Sequence, residues 1–511
     1  MKPINLLIVL LFFSFISKAQ EQQCAFDVIR QQQRQNSNFV ELERRAEEKI
    51  KSAIQSPDFY SRSTAGSVIT IPVVVHVLHL GEAVGSGTNI SDAQIQSSID
   101  NLNDYYRGQI PTSPIDFEIE FALAQSDPSC NATTGINRID ASGVPGYLSD
   151  GVSFEGAGAD EGVLKDLSRW PETDYFNIWI VTEIDGNNGG FGYQGYANFY
   201  YGSAYEGSVM MYSVFGYDPT NANPSWPLHS ARDNGTVVHE AGHYFHLFHT
   251  FQGDDGGGTC PGDNVVGTDS DGCADTVPHK RETSTCPAIN SCTLVPWVDN
   301  NTINNIMSYY YCADRLTNDQ KTRVRAAMEG TSIANSKASE SPNLSYASPS
   351  SVCAINTATN LTNSAGIVNV ELNGVTFSSS TTGEDGGNIN NAANCNNYFE
   401  IDTAISNTIN VDLWINFHQL GIWIDWNDDG DFDDEAEQQH LSQDIEDYGS
   451  VSVALTYPTV IPYGEYVRVR LITELDDRYG FPVLSSACPP SLVYGQYEDY
   501  SIYIKPGGPV T

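Results

Sequence analysis

Basic side chains are scarce in this chain: 25 Lys and Arg stand against 64 Asp and Glu, a formal net charge of −39 over 511 residues. A surface with that balance repels phosphate backbones and anionic headgroups, which argues against nucleic-acid binding. Long apolar runs are scarce too. Beyond the first residues no stretch approaches the roughly 20 apolar residues of a membrane-spanning helix, so no transmembrane segment is expected. A short-period repeat is also lacking, which excludes a solenoid or a propeller. Apolar material itself is plentiful, with 40% hydrophobic and 11% aromatic residues, so the acidity is no sign of disorder. The length exceeds one ordinary core and suggests roughly three units.

The chain opens with MKPINLLIVLLFFSFISKAQ, in which Lys2 precedes an apolar run from Ile4 to Ile16 and small or polar residues surround Ala19. That is the pattern of a cleavable secretory signal over residues 1–20. Export permits disulfides among the ten cysteines. Five of them, Cys260, Cys273, Cys286, Cys292 and Cys312, crowd one Gly- and Asp-rich region and are expected to staple loops that lack a core. A thiolate zinc site there fits poorly with export and with the uneven spacing. Residues 21–62 are rich in Gln and charge, include NFVELERRAEEKIKSAI as a predicted helix, and hold the lone Cys24; they read as a pro-segment.

From Val68 the chain reads VITIPVVVHVLHL, dense in β-branched residues and predicted as a strand. Ser91 opens a capping box, and Ile95, Ile99 and Leu102 recur at helical spacing, so a helix is expected from Asp92 to Tyr106. Tyr175 to Ile184 is a further strand. Residues 63–330 therefore read as an α/β domain. Residues 331–352, rich in Ser, Ala, Pro and Asn, read as a linker. Beyond them VDLWINF, YVRVRLI and YSIYI indicate an all-β sandwich over 353–508, followed by a tail at 509–511.

The pentapeptide His239-Glu240-Ala241-Gly242-His243 carries the clearest chemistry. On a helix, residues four apart share a face, so both imidazoles can meet one metal with Glu240 beside its bound water. His249, six residues past His243, can supply a third imidazole after a turn. Three neutral nitrogens and an open fourth position describe catalytic Zn2+.

HEAGHYFHLFHTFQG at 239–253 resembles the extended zinc signature of metzincin metallopeptidases, and NNIMSYYYCADRLTNDQKTRVR at 304–325 resembles the Met-turn region of their pappalysin branch, the M43 family. The resemblance implies a mixed sheet with an active-site helix, substrate pairing with an edge strand, zinc on His239, His243 and His249, and Glu240 as general base. It makes Met307 the floor under the metal and Tyr309 a resting ligand that swings to stabilise the oxyanion. Two positions depart from the family pattern. His246 stands where a glycine turns the chain in a left-handed conformation, at a cost of about 1–2 kcal/mol. It also rivals His249 as third ligand, although its spacing leaves it on the continuing helix. Tyr311 stands before Cys312 where members that cleave beside Arg or Lys carry an acid; Asp314 is the alternative source of one.

Cys24 has two readings. One is a latency ligand on the metal, as some pro-segments of the family use; the other is an ordinary disulfide with Cys130 or a C-terminal cysteine. The stretch from Thr250 to Cys273, Gly- and Asp-rich, is expected to hold Ca2+. A second Ca2+ expectation falls on Asp425, Asn427, Asp429 and Asp431, which alternate around a glycine turn; Ala436 at the twelfth position excludes an EF-hand. IWIDWNDDGDFDDEAE with the later GQYEDYSIYI resembles the GEVED-type domain of secreted bacterial proteases and adhesins: Glu498 and Asp499 match its namesake residues, Gln496 and Tyr497 do not. The resemblance implies substrate, surface or matrix attachment, or a stabilising role. Cys395 and Cys488 are expected to link strands of this domain. Together these features read as a secreted or surface-associated zinc endopeptidase acting on protein or peptide substrates; the alternative is a catalytically impaired adhesion protein of the same fold.

Overall fold

The computed structural model describes residues 24–505 except 57–58, 60–67, 155, 157, 188–191, 200–204, 230, 263–269, 283–285, 331–347, 357–365, 380–387, 393, 396 and 447. The signal segment and most of the expected linker lie outside the described residues. The chain divides into two compact units, Met1–Leu123 with Gly135–Ser341, and Ala124–Thr134 with Pro342–Thr511. The expectation of roughly three is thus corrected, because the N-terminal helices α1 (Phe26–Gln33) and α2 (Ser37–Gln55) build no core of their own and pack on the first unit.

In the first unit β1 (Ile69–His79) is an interior strand with partners on both sides, and its β-branched residues are buried over nearly its whole length. α3 (Asp92–Tyr106) starts where Ser91 accepts a hydrogen bond from the Gln94 amide at 3.2 Å. It buries Ile95, Ile99 and Leu102, none more than 1% exposed, each contributing about 1.5–3 kcal/mol. β2 (Ile119–Leu123), β3 (Ile136–Asp140) and β4 (Phe176–Val181) all run parallel to β1. β5 (Gly195–Asn198) closes the sheet in the opposite direction, antiparallel to β6 (Gly207–Met211), which pairs in parallel with β4. The order is β2-β1-β4-β6-β5 with β3 also on β1.

α4 (Gly235–Tyr244) packs against β5 and β6, and α5 (Asn318–Gly330) against α2. α4 begins at Asn234, buried and left-handed at φ 60°. The Asn234 carboxamide accepts from Ser98 Oγ at 2.7 Å and from the Gly216 amide at 3.2 Å, and donates to the Ser98 carbonyl at 2.9 Å. One side chain thus ties the start of α4 to the middle of α3.

The second unit pairs a four-stranded antiparallel sheet with a six-stranded one. Alternating residues such as Val370, Val411, Ile422, Val469 and Ile502 form its core. The namesake acids are internal. Asp499 accepts from Arg470 Nε and Nη2, each at 2.7 Å, and from Arg468 Nη1 at 3.1 Å, while Glu498 accepts from Gln496 and Tyr500. The expected Cys395–Cys488 bridge does not form: Cys488 pairs with Cys353 and Cys395 with Cys130. The reason is topological, since the excursion Ala124–Thr134 between β2 and β3 belongs to the second unit and carries Cys130 to it.

Replacing Asn234 by Ala removes all three of its hydrogen bonds and leaves a methyl-bearing residue at positive φ. We expect a loss of about 2–4 kcal/mol in the stability of the first unit, read as a lower urea midpoint for the intact chain.

Candidate metal centre

α4 presents His239, Glu240 and His243 on successive turns, as their spacing requires. The helix then ends at once. His246 sits at φ 66°; its amide donates to the His243 carbonyl and the Leu247 amide to the Gly242 carbonyl, both at 2.9 Å. These paired bonds form a Schellman ending with histidine in the place that glycine usually takes. The Arg323 guanidinium donates to the His246 carbonyl at 2.7 Å, and the His246 ring stacks on Phe199. The turn sends the chain back, so His249 reaches the centre and His246 does not.

The Nε2 atoms of His239, His243 and His249 lie 3.1–3.2 Å from one another. Their Nδ1 atoms all face oxygen: the Ile306 carbonyl at 2.6 Å, the Leu247 carbonyl at 2.7 Å and Asp27 Oδ1 at 3.3 Å respectively. Carbonyl and carboxylate oxygens only accept, so each Nδ1 carries the proton and three Nε2 lone pairs point at one spot. Burial holds His239 down to about 3 and His243 well below the ordinary range, which keeps both neutral. A tetrahedral ion with Zn–N bonds of about 2.0–2.1 Å needs nitrogens roughly 3.3 Å apart, so the donor set fits zinc in identity, protonation and spacing. Cys24 completes the group: its Sγ and the three imidazole nitrogens all lie within 4.8 Å of one another.

Glu240 is fully buried, and burial pushes its carboxyl up to about 8 against the Cys24 thiol and the Ala197 amide. Gly195 lets the edge strand come this close, because a Cβ there would meet Glu240 Cγ at 3.2 Å and Thr236 Cγ2 at 3.1 Å. Gly242 does the same for Met307, whose Sδ lies 2.5 Å from where a Cβ would stand; Met307 is fully buried under α4. The Tyr309 hydroxyl donates to the Cys24 carbonyl at 3.2 Å, with its ring 4.9 Å from that of His249.

The chain around Cys24 fills the centre. The Ala25 amide donates to the Gly195 carbonyl at 3.1 Å, and the Phe26 ring stacks on His243 at 3.9 Å. Cys24 forms no disulfide with Cys130, which pairs elsewhere. Beside the centre opens a cavity of about 360 Å³ lined by Glu240, Thr236, Asp233, Tyr310, Tyr311 and Ala313 among others. Asp314 is not among its lining residues, and its carboxylate is paired with Arg315 at 2.8 Å.

Four of the five crowded cysteines pair, Cys260 with Cys292 and Cys286 with Cys312, while Cys273 stays a buried thiol. In the stretch from Thr250 to Cys273, Asp254 binds Arg281 and Asp271 accepts from Thr276 and the Cys273 amide; 263–269 lies outside the described residues. In the second unit the exposed carboxylates of Asp429, Asp431 and Asp434 converge within 4.8 Å. Asp425 turns inward to accept from the Asp429 and Gly430 amides, and Asn427 donates to Asp429 and Asp434. Sequence reasoning missed Asp434 and Asp27. Asp434 lay past the alternating pattern, and Asp27 gave no signal beyond standing three residues after Cys24.

Residues 158–329 match the M43 peptidase family model described as pregnancy-associated plasma protein-A, and residues 419–503 match the GEVED domain. An extracellular metalloprotease of Arthroderma otae is 27% identical over 281 residues, covering 54% of this chain and 83% of the relative. A promirolysin mutant of Tannerella forsythia is 26% identical, with a TM-score of 0.44, over 62% of this chain and 97% of that one. Mature mirolysin of the same organism, in complex with a cleaved peptide, is 28% identical with a TM-score of 0.39, over 54% and 99%.

His246→Gly is expected to keep one metal ion per chain, since the imidazole lies outside the converging set. His249→Ala should lower metal occupancy by at least tenfold, as a lost ligand must. Elemental analysis of the purified variants reads both, and loss of metal in His246→Gly would reverse the ligand assignment.

Proposed function

Because this chain carries a metzincin-type M43 metalloprotease domain followed by a GEVED-type domain, we propose that it is a secreted zinc endopeptidase that cleaves protein or peptide substrates with Glu240 as general base. The observation that carries the reading is the convergence of three proton-free Nε2 atoms beside a buried carboxylate. Zinc bound there would act as a Lewis acid and bring the pKa of water from 15.7 to about 7.

The chain's own residues divide the remaining work. Glu240 takes the proton of the attacking water and passes it to the leaving nitrogen. The Tyr309 hydroxyl, which here donates to the Cys24 carbonyl, donates in catalysis to the carbonyl oxygen of the scissile bond, where negative charge develops. Met307 supports the imidazoles from below. β5 offers its open edge to an extended substrate.

In the intact chain the Cys24 thiol stands beside the three imidazole nitrogens, where it would take the fourth position of a bound zinc, and Phe26 covers His243; on this reading the chain is latent until the segment leaves. The apolar start of the chain and the extracellular relatives support export. The carboxylates of Asp429, Asp431 and Asp434 form the set that a hard cation such as Ca2+ would use; the GEVED-type domain is assigned attachment to substrate or surface. A catalytically impaired adhesion protein would follow if histidine in place of glycine at 246 broke the turn that delivers His249, and the intact turn there weighs against that reading.

With trypsin-activated protein, casein hydrolysis should be abolished by a chelator and restored by zinc. Glu240→Gln should retain one zinc and lose about 10²–10⁴-fold in rate. Undiminished cleavage by that variant would sink the mechanism, and a chain without zinc the whole assignment.

A further inference from the structure

Two of the three imidazoles take their second hydrogen bond from the body of the first unit. His239 and His243 donate from Nδ1 to the carbonyls of Ile306 and Leu247. The third does not: the Nδ1 of His249 faces Oδ1 of Asp27, in α1, at 3.3 Å. Asp27 is itself held in place. Its other oxygen meets Arg281 Nη2 at 3.1 Å, and Arg281 is fixed by the fully buried Asp254 through Nη2 at 2.8 Å and Nε at 3.0 Å. The row Asp254, Arg281, Asp27, His249 aims one carboxylate at one imidazole. Phe26, the residue before Asp27, lies flat on His243, with ring planes 8° apart.

We propose that Asp27 is a positioning residue for the third metal ligand, so that the segment that closes the site also tightens its hold on the metal and its removal loosens that hold. The proposal rests on the zinc and latency readings above. A carboxylate on the distal nitrogen fixes the tautomer and ring orientation of a ligating histidine and raises its basicity; losing such a partner costs about 10–100-fold in metal affinity. His239 and His243 keep their partners after activation, because Ile306 and Leu247 lie in the chain beyond the segment that leaves. His249 loses a carboxylate three residues from Cys24 in the same event that removes the thiol. Latency and metal retention are thereby coupled through one short stretch of chain.

The test uses the intact chain with Cys24→Ala, so that the thiol no longer contributes, loaded with one zinc and challenged with an excess of a colorimetric chelator. Asp27→Ala in that background should speed zinc loss about 10–100-fold. Asp27→Asn, which keeps an acceptor oxygen without the charge, should fall between the two. Gln33→Ala is the control: Gln33 ends α1 and its side-chain amide donates to Asn198 Oδ1 of β5 at 2.7 Å, so its loss loosens the segment with the Asp27 carboxylate in place and should leave the zinc rate near that of the parent. Equal rates for Asp27→Ala and the parent overturn the proposal, as does a Gln33→Ala rate matching that of Asp27→Ala, which would mean undocking. If Cys24→Ala holds no zinc at all, the zinc reading fails and takes this proposal with it, a result told apart by the initial metal content.

Discussion

Three imidazole lone pairs meeting 3.1–3.2 Å apart in a dry interior repel one another unless a positive charge sits among them, and the rest of the first unit is arranged around that demand. The Nδ1 contacts keep the rings from relieving the repulsion by a change of tautomer. Asn234 fixes where α4 begins, and so the height of His239. The left-handed His246 fixes where α4 ends, and so the return path that delivers His249. Gly242 admits Met307 to a distance at which a Cβ would force a shift, and Gly195 lets the edge strand come close enough that a Cβ would press on Thr236 and Glu240. The centre is thus preorganised by backbone geometry more than by its own weak contacts.

The stretch from Cys24 to Asp27 is a chemical complement to this centre. A thiol faces the imidazoles, a phenyl ring covers one of them, a carboxylate faces another, and a backbone amide pairs with the sheet edge. α2 extends the attachment by placing Glu47 against Arg323, the same arginine that holds the His246 turn. The N-terminal helices are therefore bonded to the elements that shape the site, which is why they add no third unit.

In the second unit the signature acids are structural. Asp499 pairs with two buried arginines whose other donors reach backbone carbonyls, among them those of Ser350 and Cys353, and removing it would leave uncompensated charge in a β-sandwich core. The exposed carboxylates at 429–434 are the separate, solvent-facing feature.

Much of this was legible in the sequence wherever the information is local. The four-residue spacing of His239 and His243 states their shared face, the capping box at Ser91 states the start of α3, and dense β-branching states β1, because helix periodicity, capping and steric preference act within a turn or two of chain. What the tertiary structure alone decided lies at long range. The partner of Cys130 is 265 residues away, Asp27 meets a histidine of another element, and Asp425 turns inward while Asp434 joins the carboxylate set. Pairings of this kind depend on sheet order, on where α4 stops and on which excursion crosses to the second unit. No local spacing encodes those, since they are set by how separate elements bury their apolar faces together.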